Sequence, residues 1–290
     1  MKTHNAPAIL VDNTHGLRFT ESPRWHQGKF WFIDIHGQAI RTVDLSGRLE
    51  TVVDLPFKPN GFGIRTDGSL VFSDALQRKV YSWKQGHLTL LSDLTTHTAF
   101  CLSDGLLDAQ GNFFIGDIGY NFLDPSQQPV NTCVIARVSP DGTASVAARG
   151  LHFPNGMALS SDARTLIVAE CMGHCLTAFD VSPNGELGSR RLYADLPEGV
   201  HPDGIALDAE GAVWLANPEG EYGVLRVREG GEILERIQLD THAYAVALGG
   251  LERRHLLICA SDTHNPAEIA VKPSATLRVL EVDVPGAGRS

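Results

Sequence analysis

A chain of 290 residues with 43% hydrophobic and 20% charged residues has enough apolar material for a substantial core. Its net charge of −10 excludes a general nucleic-acid binder, which needs clustered Lys and Arg to meet phosphates, and no basic run occurs. No apolar stretch of about 18 residues and no signal-peptide core follows Met1, so the expectation is a cytoplasmic protein without a membrane partner.

The first strand-like run is Ala8-Ile9-Leu10-Val11. After it, one phrase recurs: a polar residue, usually a glycine, a short apolar run, a polar turn and a second apolar run. It begins at Glu21-Ser22-Pro23-Arg24-Trp25, Asn60-Gly61-Phe62, Ser103-Asp104-Gly105, Asn155-Gly156-Met157, Asp203-Gly204-Ile205 and Tyr244-Ala245-Val246. First residues 21, 60, 103, 155, 203 and 244 put the period between 39 and 52. Such a period, with no sustained 3.6-residue pattern, predicts an all-β, six-bladed β-propeller forming a single domain over residues 1–290.

Each unit is predicted to hold four strands. In the fourth these are Met157–Leu159, Thr165–Ala169, Leu176–Val181 and Arg191–Ala194, with a turn at Asn184-Gly185. Two connections, Gly119–Thr132 and Thr263–Ala275, are long and carry no strand or helix pattern, as expected of lids or binding walls. The last unit has a clear outer strand at Thr276–Val282, and Ala8–Val11 is predicted to pair with it and close the ring.

The innermost strands of a propeller start around the central axis. Here five of the six starters are polar: Glu21, Asn60, Ser103, Asn155 and Asp203, with Tyr244 the sixth. Asn and Asp before Gly are also common turn residues, whereas Glu is not. Carboxylates and amides converging on one channel need a cation, and oxygen-only ligands favour Ca²⁺, Mg²⁺ or Mn²⁺. A second polar ring, Asp34, Asp74, Asp117, Glu170, Asn217 and Asp262, closes the second strands. Most of it is expected to brace turn amides, with Asp117 the member best placed to reach substrate. The five scattered cysteines form no disulfide framework, and Cys171-Met172-Gly173-His174-Cys175 lacks a second pair to complete a soft-metal site.

At these residues the chain resembles the gluconolactonase/regucalcin/luciferin-regenerating-enzyme family. Glu21-Ser22-Pro23-Arg24-Trp25 is similar to the family's Glu-Gly-Pro-x-Trp, and Trp31-Phe32-Ile33-Asp34-Ile35 to its Tyr-Trp-Val-Asp-Ile. Phe153-Pro154-Asn155-Gly156 and Pro202-Asp203-Gly204 match its two later metal-site motifs. The resemblance implies Glu21, Asn155 and Asp203 as ligands of one divalent ion, Ca²⁺ first, with Mg²⁺, Mn²⁺, Zn²⁺ or Fe²⁺ as alternatives. It also implies hydrolysis of lactones or, in some members, organophosphates. Where the family reads Arg-x-Asn-Asp-Gly, this chain reads Cys101-Leu102-Ser103-Asp104-Gly105.

The reading that results is a metal-dependent lactonase acting on a small-molecule lactone or ester. Asp203 serves as general base, and Asn60, Cys101, Ser103, Asp104, Asp117 and Tyr244 contact the substrate. With Cys101 in place of Arg and Phe62, Phe100, Phe122 and Tyr244 around the mouth, the expected substrate is smaller or more apolar than gluconolactone. His26, His97, His152, His201, His242 and His264 fall near motif edges, His201 and His242 being the best placed as proton shuttles. The alternatives are a phosphotriesterase-like hydrolase on the same site and a non-catalytic, metal-dependent small-molecule sensor.

Overall fold

Runs such as Phe30–Ile33 and Leu166–Ala169 are rich in β-branched and aromatic residues and are bounded by turn residues, which makes them strands. The structure, a computed structural model, describes residues 1–288 apart from 122, 125, 128, 129, 131, 221 and 222. It is a six-bladed β-propeller with an antiparallel meander in every blade. The inner strands are Thr20–His26, Pro59–Ile64, Leu102–Leu107, Pro154–Leu159, Ile205–Leu207 and His242–Gly249. Blade four runs Pro154–Leu159, Thr165–Glu170, Cys175–Val181 and Leu187–Asp195, each strand at or slightly beyond its predicted ends.

Single sheets of this size bury neither face alone, so apolar side chains of neighbouring blades interdigitate in six separate clusters. Between blades four and five, for example, Ala158, Ile167, Leu176, Val213 and Leu225 pack together, and between three and four Phe114, Ile135, Met157 and Val168 do so.

The ring closes as predicted. Ala8–Val11 pairs antiparallel with Thr276–Glu281, Ala8 opposite Val279 and Val11 opposite Leu277. Two further ties were not foreseen. Lys2–Thr3 adds a parallel fifth strand to blade five, where His4 Nε2 lies 2.6 Å from Glu235. After blade six the chain crosses back to blade five, Ala209 and Gly286 amides bonding Pro285 and Arg253 carbonyls. Removing residues 1–12 therefore takes the fourth strand of blade six and the fully buried Val11. The expected result is a single, cooperative unfolding transition weakened by at least about 3 kcal/mol; an unchanged melting transition overturns the closure role.

The connection 263–275 departs from the expectation of no internal structure. It holds a short helix, Pro266–Val271, with Asn265 as N-cap accepting from the Ala267 amide and Pro at the first helical position. Ile269 anchors it by joining the core between blades one and two.

Candidate active site at the channel mouth

Five of the six inner strands carry a register shift beside their starter, Glu21/Arg24, Asn60/Phe62, Leu102/Gly105, Pro154/Met157 and Ala243/Ala245, the blade of Asp203 being the exception. A bulge re-aims the side chain it holds and bends the strand. The glycines that follow are not turn residues. A Cβ on Gly156 would lie 2.5 Å from the Asp203 carbonyl oxygen, and one on Gly204 2.5 Å from Ala245 Cβ. Their amides instead bond the next inner strand, Gly156 N to Asp203 O at 3.2 Å and Gly204 N to Tyr244 O at 2.8 Å.

Blade one has serine at the equivalent place. Ser22 is fully buried with φ 52°, a conformation that costs a non-glycine residue about 1–3 kcal/mol. Two bonds hold it there. Its hydroxyl donates to Asp104 Oδ1 at 2.7 Å, and its amide donates to Glu21 Oε2 at 2.9 Å, which fixes the Glu21 carboxylate.

Asn155 and Asp203 are in contact, and Glu21 lies within electrostatic reach of Asp203. Asn155 Nδ2 donates to Asp203 Oδ1, tying blade four to blade five. Burial, then the neighbouring Asp104 charge, pushes the Glu21 carboxyl up to about 8. Burial, then Glu21 and Asp104, raises Asp203 well above the carboxylate range. Asp104 is held by a guanidinium: Arg24, itself buried, donates to Asp104 Oδ1 at 3.1 Å and to the Gly105 carbonyl at 2.7 Å. Arg24 has only the smallest influence on Glu21, and no cationic side chain offsets Asp203 among the described residues.

The expected substrate contacts divide. Tyr244 is buried in the core between blades one and two, edge-on to Phe19 at 4.7 Å, its phenol kept protonated by burial and then by Asp203 and Glu21. Cys101 is buried, its thiol 3.6 Å from Asn121 Oδ1. Ser103 donates to the Pro154 carbonyl at 2.6 Å, and Asn60 bonds the Gly61 amide and the Leu102 carbonyl. Asp104 accepts from Ser22, Arg24 and the Gly105 amide. These bonds tie neighbouring inner strands to one another. Asp117 takes the Ala99 amide at 3.3 Å, as Asp34 takes Phe19 and Gly37 and Asp74 takes Leu76 and Gln77. It therefore braces the incoming segment as Asp34 and Asp74 brace their own.

Phe62 is corrected: it lies in the core under Arg24, whose guanidinium is 5.9 Å from its ring, and not at the mouth. Phe100 is half-buried, and Phe122 lies outside the described residues. Sequence reasoning missed Tyr120. Its phenol is pushed up to about 12 by burial, then by Cys171, Asp203, Cys101 and Glu219, so it hangs among the site's own groups. Its signal was an aromatic just after Gly119, where the long insertion leaves the site face. Tyr120 meets Phe153 edge-on at 6.0 Å, and Phe153 has φ 58° with its carbonyl taken by the Cys171 amide at 3.0 Å.

No disulfide joins the five cysteines, and Cys171 is buried within electrostatic reach of Asp203. Of the histidines, His201 lies 3.4 Å from Glu219 and edge-on to His174, and His242 and His264 stand 6.4 and 6.2 Å from the Tyr244 ring. Among the described residues no three His, Cys, Asp or Glu side chains gather to hold a metal between them. The side chains that could share an ion are mixed, the Glu21 and Asp203 carboxyls and the Asn155 amide. Two buried like charges without a counter-cation fit a divalent ion.

The SMP-30/Gluconolactonase/LRE-like family model matches residues 19–262. A 6-deoxy-6-sulfogluconolactonase from Pseudomonas putida is 30% identical over 279 residues, covering 92% of either chain. Regucalcin from Danio rerio is 26% identical over 278 residues, again 92% of either chain. The crystal structure of a calcium-binding protein, regucalcin, from Agrobacterium tumefaciens aligns with a TM-score of 0.80 over 99% of this chain and 97% of that one, at 21% identity, which speaks for the fold. The matched stretch opens just ahead of Glu21 and closes on Asp262, so it spans every blade that lends the channel a side chain, and the chain belongs to the SMP-30/gluconolactonase/LRE-like family.

Proposed function

We propose that this protein is a lactonase that opens a small lactone at the channel mouth, with one divalent ion held by Glu21, Asn155 and Asp203. The observation that carries the reading is the pair of buried carboxylates, both pushed upward, whose nearest guanidinium is bonded to Asp104. The 30% identical relative, a lactonase by name, supports the same chemistry. Oxygen donors suit a hard ion, Ca²⁺ before Mg²⁺, Mn²⁺, Zn²⁺ or Fe²⁺.

Such an ion, when bound, would polarise the lactone carbonyl and make nearby water more acidic. The protein's part is positional and basic. Ser22 fixes Glu21, and Asn155 steadies Asp203. Asp203 takes the proton of the attacking water as its oxygen bonds the carbonyl carbon. The acyl–oxygen bond then breaks, and that proton passes to the former ring oxygen, giving a hydroxy acid. Cys101, Tyr120 and Tyr244 bring thiol and phenol groups and no charge to the neighbourhood of Asp203, which favours a lactone less hydroxylated than gluconolactone. A panel of lactones graded by hydroxylation, run with each ion in turn, tests this. Fastest turnover of an aldonolactone overturns the apolar preference, and no turnover with any ion overturns the lactonase.

A pH dependence follows from Glu21. Its folded-state value is raised from 4.5 to about 8, so its contribution to stability without a bound ion is complete below 4.5 and is lost as pH rises through about 8. Chemical denaturation of ion-free protein should give lower stability at about pH 9 than at about pH 5, and a saturating divalent ion should remove most of the difference.

A further inference from the structure

The inner strands enclose a second space, at the end of the channel away from Glu21 and Asp203. It is a cavity of about 30 Å³, lined by Arg24 of blade one, Leu106 of blade three, Met157 of blade four, Leu207 of blade five, and Val246 and Arg253 of blade six. The strand residues among these stand two to four positions past their starters, roughly 7–13 Å farther along at the rise of a strand. Arg253 belongs to the turn between His242–Gly249 and His255–Ser261, on the face opposite the starters. The end of the chain crosses this turn. Arg253 O accepts the Gly286 amide at 2.9 Å, and Leu207 O accepts the Ala287 amide at 3.0 Å. A Cβ on Gly286 would fall 2.8 Å from Leu248 Cβ and 3.4 Å from Arg253 Nε, so the glycine makes room for the guanidinium.

That guanidinium lacks a counter-charge. Arg253 is half-buried, its Nε–H is fully so, and no described residue accepts from it. The acids in its neighbourhood are engaged elsewhere. Asp208, whose backbone bridges to Gly286, holds Arg226 Nε at 2.7 Å, and Glu252 lies 3.8 Å from Arg254 Nε. Burial lowers the Arg253 pKa with no carboxylate opposing it, yet a guanidinium keeps its proton in a protein, so the charge stays. Arg24, the other arginine of the cavity, already donates to Asp104 and to the Gly105 and Pro23 carbonyls.

We propose that this cavity seats one small monatomic anion, chloride or bromide, on the Arg253 guanidinium. Size and wall chemistry select the class. About 30 Å³ holds one or two waters, hence one halide and not a sulfate or an organic acid. Leu106, Met157, Leu207 and Val246 offer no donors, so a polyatomic oxyanion would leave oxygens against hydrocarbon, whereas a halide is satisfied by one or two N–H groups. The anion offsets a buried, unpaired charge. Because the guanidinium lies against Gly286, it also ties the crossing segment to blades five and six. The seat is independent of the lactonase reading.

The test follows thermal unfolding of the native protein and of Arg253→Met as sodium methanesulfonate is replaced by sodium chloride at constant ionic strength. Chloride is expected to raise the native midpoint by about 2–4 °C along a saturating curve and to leave the variant unmoved. An equal response of both proteins overturns the seat. Before chloride is added, Arg253→Met should be at least as stable as the native chain, since it loses the unpaired charge and keeps a long apolar side chain. A less stable variant there overturns the uncompensated charge on which the seat rests. Native crystals soaked in sodium bromide supply an arm that needs no variant, with one anomalous peak expected within hydrogen-bond reach of Arg253 Nε. No peak at that place overturns the proposal. A peak that persists in Arg253→Met crystals is an adventitious ion only and overturns it as well.

Discussion

Asp203→Asn is expected to lower lactone turnover by about 10²–10⁴-fold and, in ion-free protein, to raise stability. Both effects have one origin. Asp203 is buried, lacks a counter-cation among the described residues and faces the Glu21 and Asp104 charges. Exchanging it for an isosteric amide removes a buried acid whose ionisation the fold opposes, at a cost in free energy, and also removes the proposed base. Loss of activity with gain of stability is the signature of a residue kept for chemistry rather than packing. Steady-state kinetics together with chemical denaturation read both halves. An active, ion-loaded variant places the base elsewhere, and a variant destabilised before any ion is added contradicts the electrostatic account.

Arg24→Met is expected to do the opposite to the fold, weakening it by about 3–5 kcal/mol. The guanidinium bonds Asp104, the Gly105 carbonyl and the Pro23 carbonyl and lies against the Phe62 ring. Without it three carboxylates, Glu21, Asp104 and Asp203, share a buried region with no cation. Combining Arg24→Met with Asp104→Asn should recover most of the loss, because the uncompensated charge leaves with its partner. Urea denaturation of the two single variants and the double variant forms the cycle that checks this. Additive effects would show that Arg24 acts by packing alone.

Much of the architecture is legible in the chain because it repeats. Six starters, five of them polar, at a period of about 45 residues and followed by paired apolar runs, leave few alternatives to radial sheets. Ala8–Val11 is legible as the missing strand because Thr276–Glu281 would otherwise be an open edge. What the sequence conceals is local geometry. Nothing in Glu21-Ser22-Pro23 announces a bulge, and the glycine after Asn155 reads equally as a turn residue or as the close approach of two strands that it proves to be. Asp104 and Asp117 look alike as acidic residues near the channel, yet one locks Ser22 and Arg24 and the other braces the Ala99 amide. The first role depends on partners 82 and 80 residues away in the chain, Ser22 and Arg24, and no local pattern encodes it. Phe62 and Tyr120 show the same limit. Aromatic residues near a motif are equally suited to a core or a mouth, and only the packing of neighbouring blades decides between them.

The most direct test is a titration of chelator-stripped protein with Ca²⁺, Mg²⁺, Mn²⁺, Zn²⁺ and Fe²⁺, followed by calorimetry on the native chain and on Glu21→Gln. A single ion per chain, bound with proton release near neutral pH and lost when Glu21 becomes an amide, is the predicted result. Binding of none of these ions, or binding that Glu21→Gln leaves untouched, would contradict the claim that Glu21, Asn155 and Asp203 form a cation seat.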